Sequence, residues 1–188
     1  MGRIDCSDDM LFEKTVSGQT KFTGHVFEVE VKTITTPEGA TACREIVKHN
    51  GGAAILPVDT ELNCYLVKQF RSPFEKIMTE APAGKVEPGE DPLVCAAREI
   101  TEETGYTAES WSNIGLFYSA AAYSDERITM YLAEGLKKGE QKLDRDEFLN
   151  VIEIPLEEAV KQVLEGRITD SKTQVGIMKA AMILKERK

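Results

Sequence analysis

The sequence predicts an α/β protein with a mixed β-sheet flanked by helices and a β-hairpin ahead of the main body. The stretch "FEVEVKTI" (27–34) alternates apolar and polar residues, which indicates a strand. Two short apolar runs, "GAAILPVD" and "CYLVKQFR", predict buried strands. Helical segments interrupt further strand-like runs at irregular intervals, which is typical of a mixed sheet with helices packed against it.

Each predicted element has its own signal. The hairpin consists of "FEVEVKTI", the turn "TPEG" and the extended stretch "ACREIVKH". Later strands are predicted at "SNIGLFYSA", "RITMYLAEGL" and "NVIEIPL". A short helix is predicted from Glu157 to Leu164, ended by Gly166, and a last helix begins near Asp170 and Ser171. We divide the chain into a hairpin segment, 1–48, and a main domain, 49–188.

The helix "DPLVCAAREITEETG" has clear boundaries. Asp91 can cap its N-terminus, Pro92 suits the first helical position, and Gly105 suits the left-handed position after its end. At about 100° per residue, several side chains gather on one stripe that we expect to face the core. They are Leu93, Ala96, Ala97, Ile100 and Thr104.

Three glutamates of this helix stand close together. Glu99 and Glu103 fall at one edge of the stripe, where like charges at this spacing cost about 0.2–0.5 kcal/mol. Glu102 lies farther round the helix and can pair with Arg98. A divalent cation that accepts oxygen ligands, magnesium or manganese, would relieve the repulsion. The plainer interpretation is an acidic helix face in contact with water.

Composition and charge narrow the class of protein. The 188 residues are 41% hydrophobic and carry a net charge of −9, which argues against binding nucleic acid through its phosphates. No apolar run can span a bilayer and no signal peptide is evident, so we expect a cytoplasmic protein without a membrane partner. Cys6, Cys43, Cys64 and Cys95 are widely spaced, so we expect reduced thiols and no zinc site.

The residues before and within the acidic helix form one extended motif. From Gly84 to Tyr106 the spacing is G-x5-E-x7-R-E-U-x-E-E-x-G-U, where U is apolar. The stretch "GKVEPGEDPLVCAAREITEETGY" therefore resembles the Nudix box of the Nudix hydrolases. Three further stretches, "REIVKHNGGAAILPVD", "VKQFRSPFEKIMTEAPAGKVEPGED" and "GRITDSKTQVGIMKA", resemble the ADP-ribose pyrophosphatase branch. The resemblance implies the Nudix fold, with a mixed β-sheet sandwiched between helices.

One loop departs from the pattern of that branch. In "YSAAAYSDER", Ala121 stands where the branch usually has proline and Ala122 where it has glycine. The departure bears on the substrate rather than on the chemistry, because in the branch this loop lies against the terminal ribose or its replacement.

The resemblance also implies a metal site. Mg²⁺, with Mn²⁺ as a possible substitute, would be held by the carboxylates of Glu99, Glu102 and Glu103 and by the main-chain carbonyl of Ala83. Glu102 is predicted to be catalytic as well as a ligand. The metal would neutralise the phosphates and lower the pKa of a bound water.

Other roles follow from the same resemblance. The general base is predicted on the polar stretch "KKGEQKLDRDEFLN", with Glu147 as first choice and Glu140 as second. Gly84, Glu90 and Arg98 are predicted to brace the site structurally.

Four residues are candidates for substrate binding. Arg71 follows a strand and can pair with a phosphate, and Glu80 and Glu126 can accept hydrogen bonds from adenine or ribose hydroxyls. Glu45, in the N-terminal segment, can reach the adenosine end. Surface ion pairs are the alternative interpretation. In related enzymes the N-terminal hairpin crosses to a partner subunit, so a homodimer is predicted.

The predicted function is magnesium-dependent hydrolysis of ADP-ribose to AMP and ribose 5-phosphate. An alternative is a hydrolase of another nucleoside diphosphate sugar such as GDP-mannose. A second alternative is a Nudix module that senses ADP-ribose without cleaving it, although such modules commonly lose the box carboxylates that this chain keeps.

Overall fold

The computed structural model describes residues 11–145 and 147–187. Within those ranges the chain forms ten β-strands and three α-helices. The strands are β1 (Lys14–Thr23), β2 (Glu28–Thr35), β3 (Thr41–Lys48), β4 (Gly52–Pro57), β5 (Asn63–Arg71), β6 (Lys76–Glu80), β7 (Ala83–Lys85), β8 (Tyr106–Tyr118), β9 (Arg127–Lys138) and β10 (Leu149–Pro155). The helices are α1 (Pro92–Thr104), α2 (Leu156–Leu164) and α3 (Ser171–Glu186).

The strands and helices that we predicted are confirmed, and three further strands were not predicted. β1 has all ten of its residues exposed, so no buried face gives it a pattern, and its pairing with β2 makes it a strand. β6 and β7 are only five and three residues long, which is too short for a periodic signal.

The first compact unit comprises residues 11–49 together with Ala120–Glu126. It contains the antiparallel sheet β1-β2-β3. The main chain of Val47 accepts a hydrogen bond from Asp125 (3.1 Å) and donates one to Tyr123 (2.8 Å), which holds the 120–126 turn against the end of β3. The boundary that we drew between residues 48 and 49 stays a prediction.

The second compact unit comprises residues 50–119, 127–145 and 147–187 and contains two sheets. The four-stranded sheet has the order β7-β4-β9-β8, in which β4 and β9 are parallel and the other pairs are antiparallel. The three-stranded sheet has the order β10-β5-β6 and is antiparallel. The predicted mixed sheet is therefore confirmed.

Strand β4 is covered on both faces, which explains its continuous apolar run. Ala53 and Ile55 pack in one buried cluster with Cys95, Ala96 and Ile100 of α1. The alternate residues of β4 pack in a second cluster with side chains of α2 and α3; the members from these three elements are Ala54, Leu56, Leu156, Ala159, Ile177, Ala180 and Leu184. Helices thus lie on both sides of this sheet.

The capping signals of α1 are confirmed, and so is part of its predicted core face: Ala96, Ile100 and Thr104 are buried, whereas Leu93 and Ala97 are not. The Asp91 carboxylate accepts a hydrogen bond from the Leu93 amide (2.8 Å), and Gly105 has a φ of 73°. Leu93 is 37% exposed and Ala97 is also exposed. The buried residues are Cys95, Ala96, Glu99, Ile100, Glu103 and Thr104. The difference arises because α1 also packs against β7, which covers the side that carries the glutamates.

The state of the cysteines and the character of the helices bear on two further predictions from the sequence. Cys43, Cys64 and Cys95 are free thiols, whereas Cys6 lies outside the described residues. Among residues 11–145 and 147–187, no helix has both the length and the apolar character needed to cross a bilayer.

Candidate active site

The candidate site includes a close contact between Gly84 of β7 and the Glu99 side chain of α1. Gly84 lies in the short strand β7, opposite Ala53 of β4. A Cβ atom on Gly84 would stand 1.6 Å from Oε1 and 1.8 Å from Cδ of Glu99. Only glycine therefore allows the Glu99 carboxylate to lie directly against this strand.

Glu103, one helical turn further, is buried beside the same strand. It is 4% exposed, and its Oε2 atom accepts a hydrogen bond from the Ala83 amide (3.1 Å). Burial, together with the neighbouring charge of Glu99, raises the pKa of Glu103 to about 8. Burial also raises the pKa of Glu99, although Arg98 opposes the rise. Two adjacent acids therefore lack a full countercharge.

Arg98 ties the helix to the loop before it. Its Nη1 atom donates to Glu99 (2.6 Å) and to Glu102 (3.1 Å), and its Nε atom donates to Glu90 (3.3 Å). Burial disfavours the cation, but the carboxylates of Glu90 and Glu99 outweigh it and raise the pKa of Arg98. Glu90 also accepts a hydrogen bond from the Glu87 amide (2.9 Å), which closes the turn ahead of the helix. These contacts connect α1 to the loop before it, and the bracing roles of Gly84, Glu90 and Arg98 stay predictions.

The segment between β9 and β10 passes the C-terminal end of α1. The Gln141 side chain donates to the main-chain oxygen of Glu103 (2.6 Å), and the Lys142 amide donates to that of Glu102 (3.0 Å). A Cβ atom on Gly105 would stand 2.8 Å from the Gln141 nitrogen, so glycine also permits this approach. Sequence reasoning missed Gln141, because a single amide in a polar loop carries no pattern.

Both candidates for the general base lie on this segment. Burial is the main cause of the raised pKa of Glu99 and of Glu103, and the charge of Glu147 adds a smaller contribution to both. Main-chain atoms of Glu140 adjoin Gly105. Glu147 also lines a cavity of about 420 Å³ with apolar side chains of β5, β6 and the segment itself.

Arg71 and Glu80 are held to each other. The guanidinium donates in parallel from Nε to Oε1 and from Nη2 to Oε2, both at 2.7 Å. Glu80 is 2% exposed, and its carboxylate also pairs with Lys172 of α3. Burial alone would raise the pKa of Glu80, but Arg71 and Lys172 outweigh it and lower the pKa to about 2. These residues line a cavity of about 190 Å³.

The other two predicted substrate residues belong to the first compact unit. Glu45 lies on β3, opposite Val31 of β2. The Glu126 carboxylate is 3.5 Å from Nδ1 of His49. Ala121 and Ala122 lie in the same unit, in the turn where the Tyr123 amide donates to Ala120 (3.0 Å).

The acidic side chains are not arranged as a finished metal cage. Within the ranges 11–145 and 147–187, no group of three or more histidine, cysteine, aspartate or glutamate side chains is positioned to hold a metal ion. The carboxylates of Glu99 and Glu102 instead pair with the Arg98 guanidinium. The oxygens that could hold a cation are still those of Glu99, Glu102 and Glu103, next to the main chain of Ala83.

Strand β7, with Gly84, packs against the capped helix α1 that carries three glutamates, and this arrangement indicates the class of protein. Residues 48–173 match the sequence profile of the NUDIX domain, and the chain belongs to the Nudix family. A solved structure described as an ADP compounds hydrolase shares the fold, with a TM-score of 0.83, 19% identity and coverage of 96% of this chain and 98% of that chain. The predicted Nudix fold is thus confirmed.

The relatives indicate the branch within the family. The chain is 44% identical over 169 residues to the ADP-ribose pyrophosphatase of Bacillus subtilis (strain 168), covering 89% of this chain and 91% of the relative. It is 42% identical over 167 residues to the methanol dehydrogenase activator of Bacillus methanolicus, covering 88% and 90%. It is 32% identical over 141 residues to a GDP-mannose pyrophosphatase of Cronobacter sakazakii, covering 69% and 73%. The chain is therefore a Nudix pyrophosphohydrolase, and the predicted ADP-ribose pyrophosphatase branch is confirmed.

Proposed function

We propose that the enzyme hydrolyses the pyrophosphate bond of ADP-ribose to AMP and ribose 5-phosphate. The observation that carries the proposal is the cluster of Glu99 and Glu103 against the glycine of β7. Two buried acids with raised pKa values are unfavourable in isolation and are suited to a bound cation. The likeness to two ADP-ribose pyrophosphatases, at 44% and 33% identity, supports ADP-ribose as the substrate.

The donor set fits magnesium. Carboxylate oxygens of Glu99, Glu102 and Glu103 and the carbonyl oxygen of Ala83 are hard ligands of the kind that Mg²⁺ prefers, with Mn²⁺ as a substitute. When bound, the ion would supply charge neutralisation of the diphosphate and a water of lowered pKa. Glu102 is the most exposed of the three glutamates. We assign it both to the ion and to the catalytic step.

The protein's own groups would organise the attack. Water adds to one phosphorus, the bridging oxygen leaves with the other phosphate, and the proton of the water passes to a carboxylate. We assign that carboxylate to Glu147, with Glu140 as second choice, because both lie on the polar segment that Gln141 and Lys142 attach to the C-terminal end of α1. Gly84, Glu90 and Arg98 keep the helix and loop in register.

Substrate contacts are assigned to the four residues predicted from the sequence. Arg71 carries a fixed guanidinium beside the 190 Å³ cavity, where a phosphate could share it with Glu80. Glu45 and Glu126 would contact the nucleoside end. We propose a homodimer in which the β1-β2-β3 sheet contacts a second copy, because β1 exposes apolar side chains such as Val16 and Phe22.

A second candidate function follows from another relative. The 42% identity to a methanol dehydrogenase activator favours stimulation of a dehydrogenase as that second function. A purified methanol dehydrogenase assayed with and without the chain tests it; stimulation that requires Glu99 would support it, and no stimulation would exclude it for that enzyme.

Product analysis tests the main proposal. The enzyme is incubated with ADP-ribose and Mg²⁺ in heavy-oxygen water, and AMP and ribose 5-phosphate are examined by mass spectrometry. Both products, with heavy oxygen in only one of them, are expected. GDP-mannose run in parallel measures the competing specificity. A wild-type enzyme that cleaves GDP-mannose but leaves ADP-ribose intact would refute the substrate assignment, and binding without cleavage would indicate a sensing module.

A further inference from the structure

Lys172 lies at the second position of α3, and the proposed function gives it no role as a metal ligand, a base or a substrate contact. Its side chain is only 11% exposed and lies between two carboxylates. Its ammonium pairs with Oε2 of Glu80 and lies 3.0 Å from Oδ1 of Asp170. A lysine buried to this degree is rare unless it is paired, and here both partners are acidic.

The neighbouring residue fixes this lysine relative to β6. Thr173 is fully buried, and its hydroxyl accepts a hydrogen bond from the Ala81 amide (2.7 Å). The same hydroxyl donates to Oδ2 of Asp170 (2.5 Å), which also caps α3 by accepting from the Thr173 amide (2.9 Å). The start of α3 is thereby attached to the residue that follows Glu80, which anchors the main chain of Lys172 beside that carboxylate.

The charges around the adjoining cavity balance only because of Lys172. The cavity of about 190 Å³ is lined by Arg71, Glu80, Asp170 and Lys172, with Pro73, Phe74 and Met78. Its two cations match its two carboxylates. Without the lysine the wall would keep one cation and two carboxylates, a net charge of −1.

We propose that Lys172 is a positioning residue for substrate binding, which it supports by sharing the Glu80 carboxylate with Arg71. In this arrangement Arg71 does not have to compensate Glu80 alone, so part of its positive charge remains available to an anionic group of the substrate. This inference rests on the proposed function, because it takes a diphosphate as the ligand. It assigns Lys172 to binding and not to the reacting atoms.

Steady-state kinetics with ADP-ribose and saturating Mg²⁺ test the proposal. Lys172→Met is expected to raise KM about tenfold or more and to change kcat less than about threefold, which is the pattern of lost uniform binding. Lys172→Arg, which keeps the charge, is expected to restore KM to within about threefold. The matched control is Lys161→Met on α2, where the lysine is exposed and pairs only weakly with Glu158 (3.9 Å).

A double-substitution cycle separates this role from a structural one. Because Lys172 is proposed to act through Arg71, Lys172→Met should add little to KM in an Arg71→Met background. Thermal unfolding of each variant is recorded, and Lys172→Gln replaces Lys172→Met if the latter does not fold.

Three results would overturn the proposal: an unchanged KM in Lys172→Met, equal losses of activity in Lys172→Met and Lys172→Arg, or additive effects with Arg71→Met. A wild-type enzyme without activity on any nucleoside diphosphate sugar would instead refute the proposed function and remove the basis of the inference.

Discussion

Replacing Glu103 by glutamine removes the charge of a buried carboxylate and keeps its shape. The amide oxygen of Gln can still accept the hydrogen bond from Ala83 (3.1 Å). The charge itself is unfavourable in the metal-free protein, because burial and Glu99 raise the pKa of Glu103 to about 8 from a usual 4.5. We therefore expect Glu103→Gln to stabilise the metal-free protein at alkaline pH, although it removes a proposed metal ligand.

The sign and size of the change in unfolding free energy follow from proton linkage. Between pH 4.5 and 8 the folded chain keeps a proton on Glu103 that the unfolded chain releases, so this group's contribution to stability falls as pH rises through that window. Each pKa unit corresponds to about 1.4 kcal/mol, which sets an upper limit of about 5 kcal/mol for the full effect above pH 8. The metal-free variant should have the same unfolding free energy as the wild type near pH 4.5 and a higher one at pH 9.

Urea unfolding at pH 5, 7 and 9 measures this difference, first with EDTA and then with Mg²⁺ or Mn²⁺. With metal the order should reverse, because binding to the folded wild type adds stability that the variant lacks. Glu38→Gln, at an exposed turn position, is the control and should show neither effect. A Glu103→Gln protein that is less stable than the wild type in EDTA at pH 9 would refute the view that Glu103 is an uncompensated buried charge.

Three further predictions address the site and its assembly. Gly84→Ala should weaken Mn²⁺ binding and lower kcat/KM by at least about a hundredfold, because the new Cβ would displace the Glu99 carboxylate; unchanged Mn²⁺ affinity by calorimetry would contradict this. Glu147→Gln should lower kcat by about 10²- to 10⁴-fold with Mn²⁺ affinity retained, whereas Glu140→Gln should not, and the opposite result would transfer the base to Glu140. The wild type should sediment as a dimer at micromolar concentration, and a monomeric mass would argue against the homodimer.

The local features of the site were readable from the chain, since they depend on residues close in sequence. The caps of α1 by Asp91 and Gly105 involve neighbours within a turn or so of the helix ends. The pairing of Arg98 with Glu102 is an i,i+4 contact, and its pairing with Glu90 spans eight residues. The spacing of the box carries the same information, so family and fold class could both be predicted.

The buried face of α1 was only partly predicted: Ala96, Ile100 and Thr104 are buried as expected, but the rest of the face is different. Helical periodicity placed Leu93 and Ala97 toward the core, yet both are exposed, and Glu103 is buried in their place. By its hydrophobicity a glutamate is expected at the surface. Glu103 can be buried because its carboxylate accepts a hydrogen bond from the Ala83 amide of β7. That compensation depends on a strand 20 residues earlier in the chain.

The sequence by itself determined the family, the main secondary structure and the identity of the acidic residues, because these rest on short-range spacing and local backbone preferences. Only the tertiary structure decided that Arg71, Glu80 and Lys172 form one ion-pair network, because Lys172 is 92 residues from Glu80 and no periodic pattern links them. The physical reason is that the protonation and pairing of a buried charge depend on every group packed around it, and those groups come together only when the chain folds.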